Sequence, residues 1–157
     1  MKKIASIIAI IALVASCKPE IKPIGAAYKA GAGIPGTWEI DKVEIIDITL
    51  PIPESKDISA FYNLKPERKL VITINDDNTY VVDQAGAGPK VFGTNGTWMF
   101  DTPDFPSALM LINNSGDTIK TTLLSMPREI DNTFGFSFSR NRCDKDYVTY
   151  NYNFNRK

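Results

Sequence analysis

Lys69-Leu70-Val71-Ile72-Thr73-Ile74-Asn75-Asp76-Asp77-Asn78-Thr79-Tyr80-Val81-Val82-Asp83 is the stretch that decides the fold. Leu70, Ile72 and Ile74 recur at every second position, so they share one face of an extended strand. Asp76-Asp77-Asn78 are turn formers whose short polar side chains bond nearby backbone. Residues 79–83 are again rich in strand formers, so the chain returns beside itself as a hairpin.

The same pattern extends outward in both directions. Residues 37–47 mix Trp38, Ile40, Val43, Ile45 and Ile46 with charges, and the phase shift between Ile40 and Val43 predicts a bulge. Residues 84–95 form a long Gly-containing loop. A strand at 96–101 puts Trp98 and Phe100 in phase. Strands at 108–113 and 118–126 flank the turn Asn114-Ser115-Gly116-Asp117. Residues 133–139 place Phe134, Phe136 and Phe138 on one face. Residues 146–155 do the same with Val148, Tyr150, Tyr152 and Phe154. The one helical candidate is 58–64. Eight strands with short turns predict an all-β, antiparallel, up-and-down eight-stranded barrel with one short helix, because closure removes exposed edges. A two-sheet β-sandwich is the alternative.

Composition narrows the chemistry. The 157 residues carry 18 basic and 18 acidic side chains and no histidine. Without a basic excess, nucleic acid is not an expected partner. Without histidine there is no Ser-His-Asp or Cys-His arrangement, and the commonest metal ligand is missing. The expectation is a non-enzymatic protein with no catalytic residue, no cofactor and no metal.

The N-terminus reads as an address. Lys2 and Lys3 precede an apolar run at 4–15, too short for a membrane span of about 20 residues. This is a signal peptide pattern. The run closes on Val14-Ala15-Ser16-Cys17, which resembles the lipobox of bacterial lipoproteins. The resemblance implies removal of residues 1–16, lipid on Cys17 and membrane attachment through it. Lys18, in place of an aspartate, points to the outer membrane, with the side it faces left open. Residues 17–35, with Pro19, Pro23 and several glycines, read as a lipidated cysteine and flexible tether.

Four pieces of the remaining chain occur in a telling order. Gly36-Thr37-Trp38-Glu39-Ile40 opens the first strand. Thr73-Ile74-Asn75-Asp76-Asp77-Asn78-Thr79-Tyr80 follows, then Gly96-Thr97-Trp98-Met99-Phe100, then the aromatic segment 147–154. This order resembles the lipocalin-like domains of bacterial lipoproteins of uncharacterised function. The resemblance implies a small calycin-type barrel over 36–157. It also implies that Trp38 plugs one barrel end and that Arg156 lies over it. It brings no catalytic residue and leaves the ligand-binding residues unknown. The chain departs from true lipocalins in lacking a helix after the last strand, so a deep lidded cavity is not implied.

Other residues have bland and functional readings. Trp38 and Trp98 suit a stacked sugar, but their in-phase apolar neighbours favour the core. Tyr150 and Tyr152 face inward with Phe154, and Tyr147 faces outward. Asp76-Asp77-Asn78 lacks the spaced ligands of a calcium loop, and Asp101 and Asp104 are read the same way. Glu39, Asp41, Glu44 and Asp47 suit a half-exposed strand. Cys143 lies between Arg140, Arg142 and Lys145, which favour a reactive thiolate if it is exposed, against a passive thiol in a hairpin turn. Gly86-Ala87-Gly88-Pro89 fits no phosphate loop. Asp117-Thr118-Ile119 fits a short O-glycosylation pattern of some envelope bacteria.

The leading functional expectation is a membrane-anchored binding or accessory lipoprotein of the outer membrane. Its partners would be other outer-membrane proteins, or a glycan or peptide within an uptake complex. The alternatives are an envelope inhibitor of a hydrolase such as a lysozyme or protease, acting through the 84–95 loop, and a carrier of a small apolar ligand.

Overall fold

β1 (Gly36–Asp47) is the strand on which the molecule closes, because it pairs on both of its edges. The computed structural model describes residues 31–62, 69–84 and 90–157. The signal peptide, Cys17, most of the tether and the Gly86-Ala87-Gly88-Pro89 segment lie outside the described residues. Eight further strands follow: β2 (Glu54–Asp57), β3 (Val71–Ile74), β4 (Thr79–Asp83), β5 (Asn95–Phe100), β6 (Ala108–Asn113), β7 (Thr118–Leu123), β8 (Thr133–Arg142) and β9 (Lys145–Arg156). All pairings are antiparallel and run β1-β3-β4-β5-β6-β7-β8-β9, with β9 returning to β1. This is a closed eight-stranded up-and-down barrel, and the sandwich alternative is excluded.

The predicted bulge lies where the phase changes. The β1–β9 register slips between Ile40 and Lys42, so Trp38, Ile40 and Val43 all reach the interior. The predicted turn after β3 is built by Asp77, whose Oδ1 accepts the backbone N–H of Thr79 at 2.9 Å and its hydroxyl at 2.6 Å.

Three expectations are corrected. First, among the described residues a further, unforeseen strand joins the eight of the barrel. β2 lies outside the ring on the free edge of β1, pairing Glu54 with Asp47 through to Asp57 with Glu44. All four of its residues are exposed, so it has no hydrophobic period to reveal it. Second, the helical candidate is a single 3-10 turn, Ser59–Phe61. Asp57 holds it by accepting the Ser59 N–H at 2.8 Å, and the Ser59 hydroxyl in turn accepts the Val43 N–H at 2.9 Å. Third, residues 31–35 are not free tether. Ile34 is fully buried and the segment crosses one end of the barrel. A Cβ on Gly33 would lie 2.0 Å from the Pro127 carbonyl oxygen, so only glycine fits this crossing.

The core is one cluster of aliphatic and aromatic side chains from the ring strands, with Ile34, Tyr62, Leu70 and Phe92 added from the connections. Its rings form a continuous chain. Phe134, Phe136, Phe154, Tyr152 and Phe92 meet with centroids 5.1 to 6.1 Å apart. Tyr80, Phe136 and Tyr152 are wholly inaccessible. A lumen wide enough for water would leave such wall residues touchable, so the described interior is filled by side chains, as eight-stranded barrels allow.

Candidate functional site

The two ends of the barrel differ in kind. Strand directions put residues 31–35, the β3–β4 turn, the β5–β6 loop and the β7–β8 loop at one end. The β1–β2 loop, the 3-10 turn, the β6–β7 turn and the β8–β9 turn lie at the other.

The first end is sealed by Trp38 and Arg156. The Trp38 indole is fully buried, and its Nε1 donates to the Ile34 carbonyl at 2.8 Å. The Arg156 guanidinium lies 4.3 Å from the centre of the Trp38 rings. Arg156 also donates to three backbone carbonyls: Nη2 to Gly33 at 2.8 Å, Nη1 to Pro35 at 3.1 Å and Nε to Asp131 at 3.2 Å. These bonds stitch the incoming segment and the β7–β8 loop to the last strand. The guanidinium faces a ring and carbonyl oxygens, so this end is a latch rather than a place for chemistry. Gly36, at φ +150, makes room for it, since a Cβ there would come within 2.5 Å of Nη1.

The second end is open and asymmetric. β1, β8 and β9 have 10 to 12 residues each, whereas the other ring strands have 4 to 6. The long strands therefore project beyond the ring as a sheet, in the order β2-β1-β9-β8. Opposed residues share a face. One row is Lys56, Ile45, Tyr150 and Phe138, and the next is Glu54, Asp47, Val148 and Arg140. Ile45, Phe138, Val148 and Tyr150 are half-buried where the barrel interior gives way to solvent. The Arg140 guanidinium lies 5.6 Å from the centre of the Tyr150 ring. Below it the Tyr62 and Tyr152 hydroxyls meet at 3.2 Å. Burial raises both phenol pKa values. The Tyr152 hydroxyl offsets part of the rise for Tyr62, and the Tyr62 hydroxyl adds to it for Tyr152. Both stay neutral at ordinary pH and form a hydrogen-bonded floor.

The projecting sheet ends in an apolar tip. Ile48, Leu50 and Ile52 are all exposed in the Ile48-Thr49-Leu50-Pro51-Ile52-Pro53 loop, Ile52 to 82%. Phe61, on the 3-10 turn, is exposed at the same end. The floor, the aromatic and arginine rows and the apolar tip form the surface best suited to bind something. Sequence reasoning missed it as a unit. Arg140 was noticed only as a neighbour of Cys143, and the face exists only because β1, β8 and β9 outrun the ring.

The remaining candidates take bland places. Trp98 is buried and donates to the Asn75 carbonyl at 3.0 Å. Tyr147, expected outside, is half-buried, because the register slips beside it between Arg140 and Asn141. Glu39 pairs with Lys69 at 2.6 Å and Lys157 at 3.8 Å, and Glu44 pairs with Lys42 at 2.9 Å. Asp101 is a loop brace, accepting the Ser107 and Ala108 N–H groups at 3.0 Å. Among the described residues, no group of three His, Cys, Asp or Glu is placed to hold a metal ion. Cys143 is exposed in the two-residue β8–β9 turn. Thr118, within the short glycosylation pattern, is exposed at the start of β7. The second half of the 84–95 loop turns inward, with Phe92 buried and accepting the Tyr80 hydroxyl at its carbonyl, 2.8 Å away.

The filled described interior, the latched end and the projecting face define a class: a small closed antiparallel barrel with one stoppered end and one projecting aromatic rim. The chain belongs to the family described as Domain of unknown function (DUF5004), whose match spans residues 23–154. No curated protein and no solved structure matches it.

Proposed function

We propose that this chain is the precursor of a lipid-anchored, non-enzymatic binding or accessory lipoprotein of the bacterial outer membrane, with a lipocalin-like barrel, serving a complex that takes up glycan or peptide. The observation that carries the reading is the opposition of the two ends. Residues 31–35 bring the chain in at the latched end, from the direction of Cys17. The half-buried aromatic rows, Arg140 and the apolar tip lie at the other end. A barrel held by its closed end presents its rim to a partner. The Gly36-Thr37-Trp38 opening and the Trp38–Arg156 stack support the lipocalin-like part of the reading.

The test is affinity capture of the full chain from solubilised envelopes, beside Ile52→Asp and Tyr150→Ala variants. The expected result is co-purification of outer-membrane proteins, or retention on glycan or peptide, weakened in both variants. Recovery of the chain alone, binding neither glycan nor peptide, defeats the proposal.

A second reading, an inhibitor that inserts a loop into a hydrolase, draws support from the tip. Pro51 and Pro53 stiffen an exposed Leu50 and Ile52, which suits insertion into a cleft. The 84–95 loop is the weaker choice, because Phe92 ties it to the core. Unchanged rates across a panel of lysozymes and proteases remove this reading. The carrier reading finds no support in the filled interior.

A further inference from the structure

Two loops at the latched end each hold a large apolar side chain out in solvent. Phe105, between β5 and β6, is 90% exposed, and Ile130, between β7 and β8, is 76% exposed. Leu124, beside the second loop, is about half exposed. Single exposed apolar residues are ordinary. These three lie on or beside the loops of one barrel end, and those loops are braced. Asp101 ties down Ser107 and Ala108, and the Thr102 hydroxyl donates to the Phe105 carbonyl at 2.9 Å. Asp131 accepts the Arg128 N–H at 2.8 Å and donates its own N–H to the Arg128 carbonyl at 2.9 Å. The Leu123 N–H, at the end of β7, donates to the Ser107 carbonyl at 2.8 Å, which ties the first loop to the strand that leads into the second. Apolar side chains held out in water by braced loops carry a cost, which burial against another apolar phase removes.

The path of the chain says what that phase is. A Cβ on Gly31 would strike the Phe100 ring at the base of the first loop, and one on Gly33 would strike Pro127 in the second. Residues 31–33 therefore run between the two loops. Only residues 18–30 separate Gly31 from Cys17, a reach of at most roughly 50 Å. We propose that Phe105, Leu124 and Ile130 rest in the interface of a lipid bilayer, seating the barrel on its latched end with the rim pointing away. This rests on the reading of Cys17 as the lipid anchor. The loops carry more acid than base, Asp101, Asp104, Glu129 and Asp131 against Arg128, and so offer no basic patch to lipid headgroups. Contact with lipid is therefore apolar and insensitive to salt.

The experiment uses the full chain, matured in an envelope, with Cys143→Ser to clear the free thiol. Phe105→Cys, Ile130→Cys and Ile52→Cys variants are labelled one at a time with an environment-sensitive fluorophore. Each is reconstituted into phosphatidylcholine vesicles holding a spin-labelled lipid quencher. Mass spectrometry of the N-terminal peptide reports acylation separately. The expected result is several-fold stronger quenching at positions 105 and 130 than at 52, unchanged by salt. Quenching at 52 but not at 105 or 130 overturns the proposal. An acylated chain with no quenching at any position overturns it too, while leaving the anchor intact. An unacylated Cys17 removes the anchor, and the seating with it. A doubled mass in detergent that hides positions 105 and 130 would assign the surface to a second copy instead.

Discussion

Three of the donors on the Arg156 guanidinium end on backbone carbonyls, and its plane covers an indole. A lysine keeps the charge but loses the planar fork. Arg156→Lys is expected to lower stability by about 1–3 kcal/mol, read from the midpoint of urea unfolding. An unchanged midpoint would mean the latch contributes nothing. Asp101 gives a second residue-scale test. The Ser107 hydroxyl and the Ala108 N–H hold its carboxyl at about 2, below the ordinary 3.8. A carboxyl depressed on folding stabilises fully above its unfolded value, and that contribution fades as pH falls toward the folded one. Stability is thus expected to drop between pH 4 and pH 2. In Asp101→Asn that part of the drop should be missing when unfolding is followed across the same range. At this scale much was legible. The resemblance to lipocalin-like domains pointed to Trp38, through its Gly-x-Trp setting, and to Arg156, through its place after the last strand. The carbonyls that Arg156 binds were not legible, since Gly33 and Pro35 are more than 120 positions away.

Elements followed their local period closely wherever one face was buried. β4 and β6 occupy the predicted residues, because each alternates against a core on one side. β2 was invisible, being held by pairing alone. The β8–β9 hairpin was expected, but it runs past the predicted ends, to Arg142 and from Lys145. The two residues between are Cys143 at φ 51 and Asp144 at φ 61. A two-residue hairpin with both φ positive has the backbone that favours Asn-Gly. The pair Cys143→Asn and Asp144→Gly is therefore expected to stabilise the protein by roughly 1 kcal/mol, seen as a higher thermal midpoint. A lower midpoint would show that Cys143 makes contacts worth more than the backbone relief.

Closure belongs to the whole molecule, and it is uneven. β1 and β9 pair from Trp38↔Arg156 to Asp47↔Val148, whereas β7 and β8 pair only at Thr122↔Ser137 and Leu123↔Phe136. Local opening begins where the fewest bonds must break. Amide exchange is expected to be fastest along this seam, among ring strands, and slowest along β1–β9. Equal protection at both places would mean that the barrel opens only by global unfolding. The seam also lies beside Phe138 and Arg140, so opening there would widen the rim face. The sequence by itself determined that the chain is all-β, where most strands run and which side chains turn inward. Those are consequences of a two-residue period and of apolar side chains leaving water, and both are written locally. Only the tertiary structure decided that the described interior is filled, that β2 exists, and that residues 31–35 and the projecting aromatic face stand at opposite ends. Those depend on how many residues each strand keeps after the ring has closed, a length comparison among strands distant in sequence that no local pattern encodes.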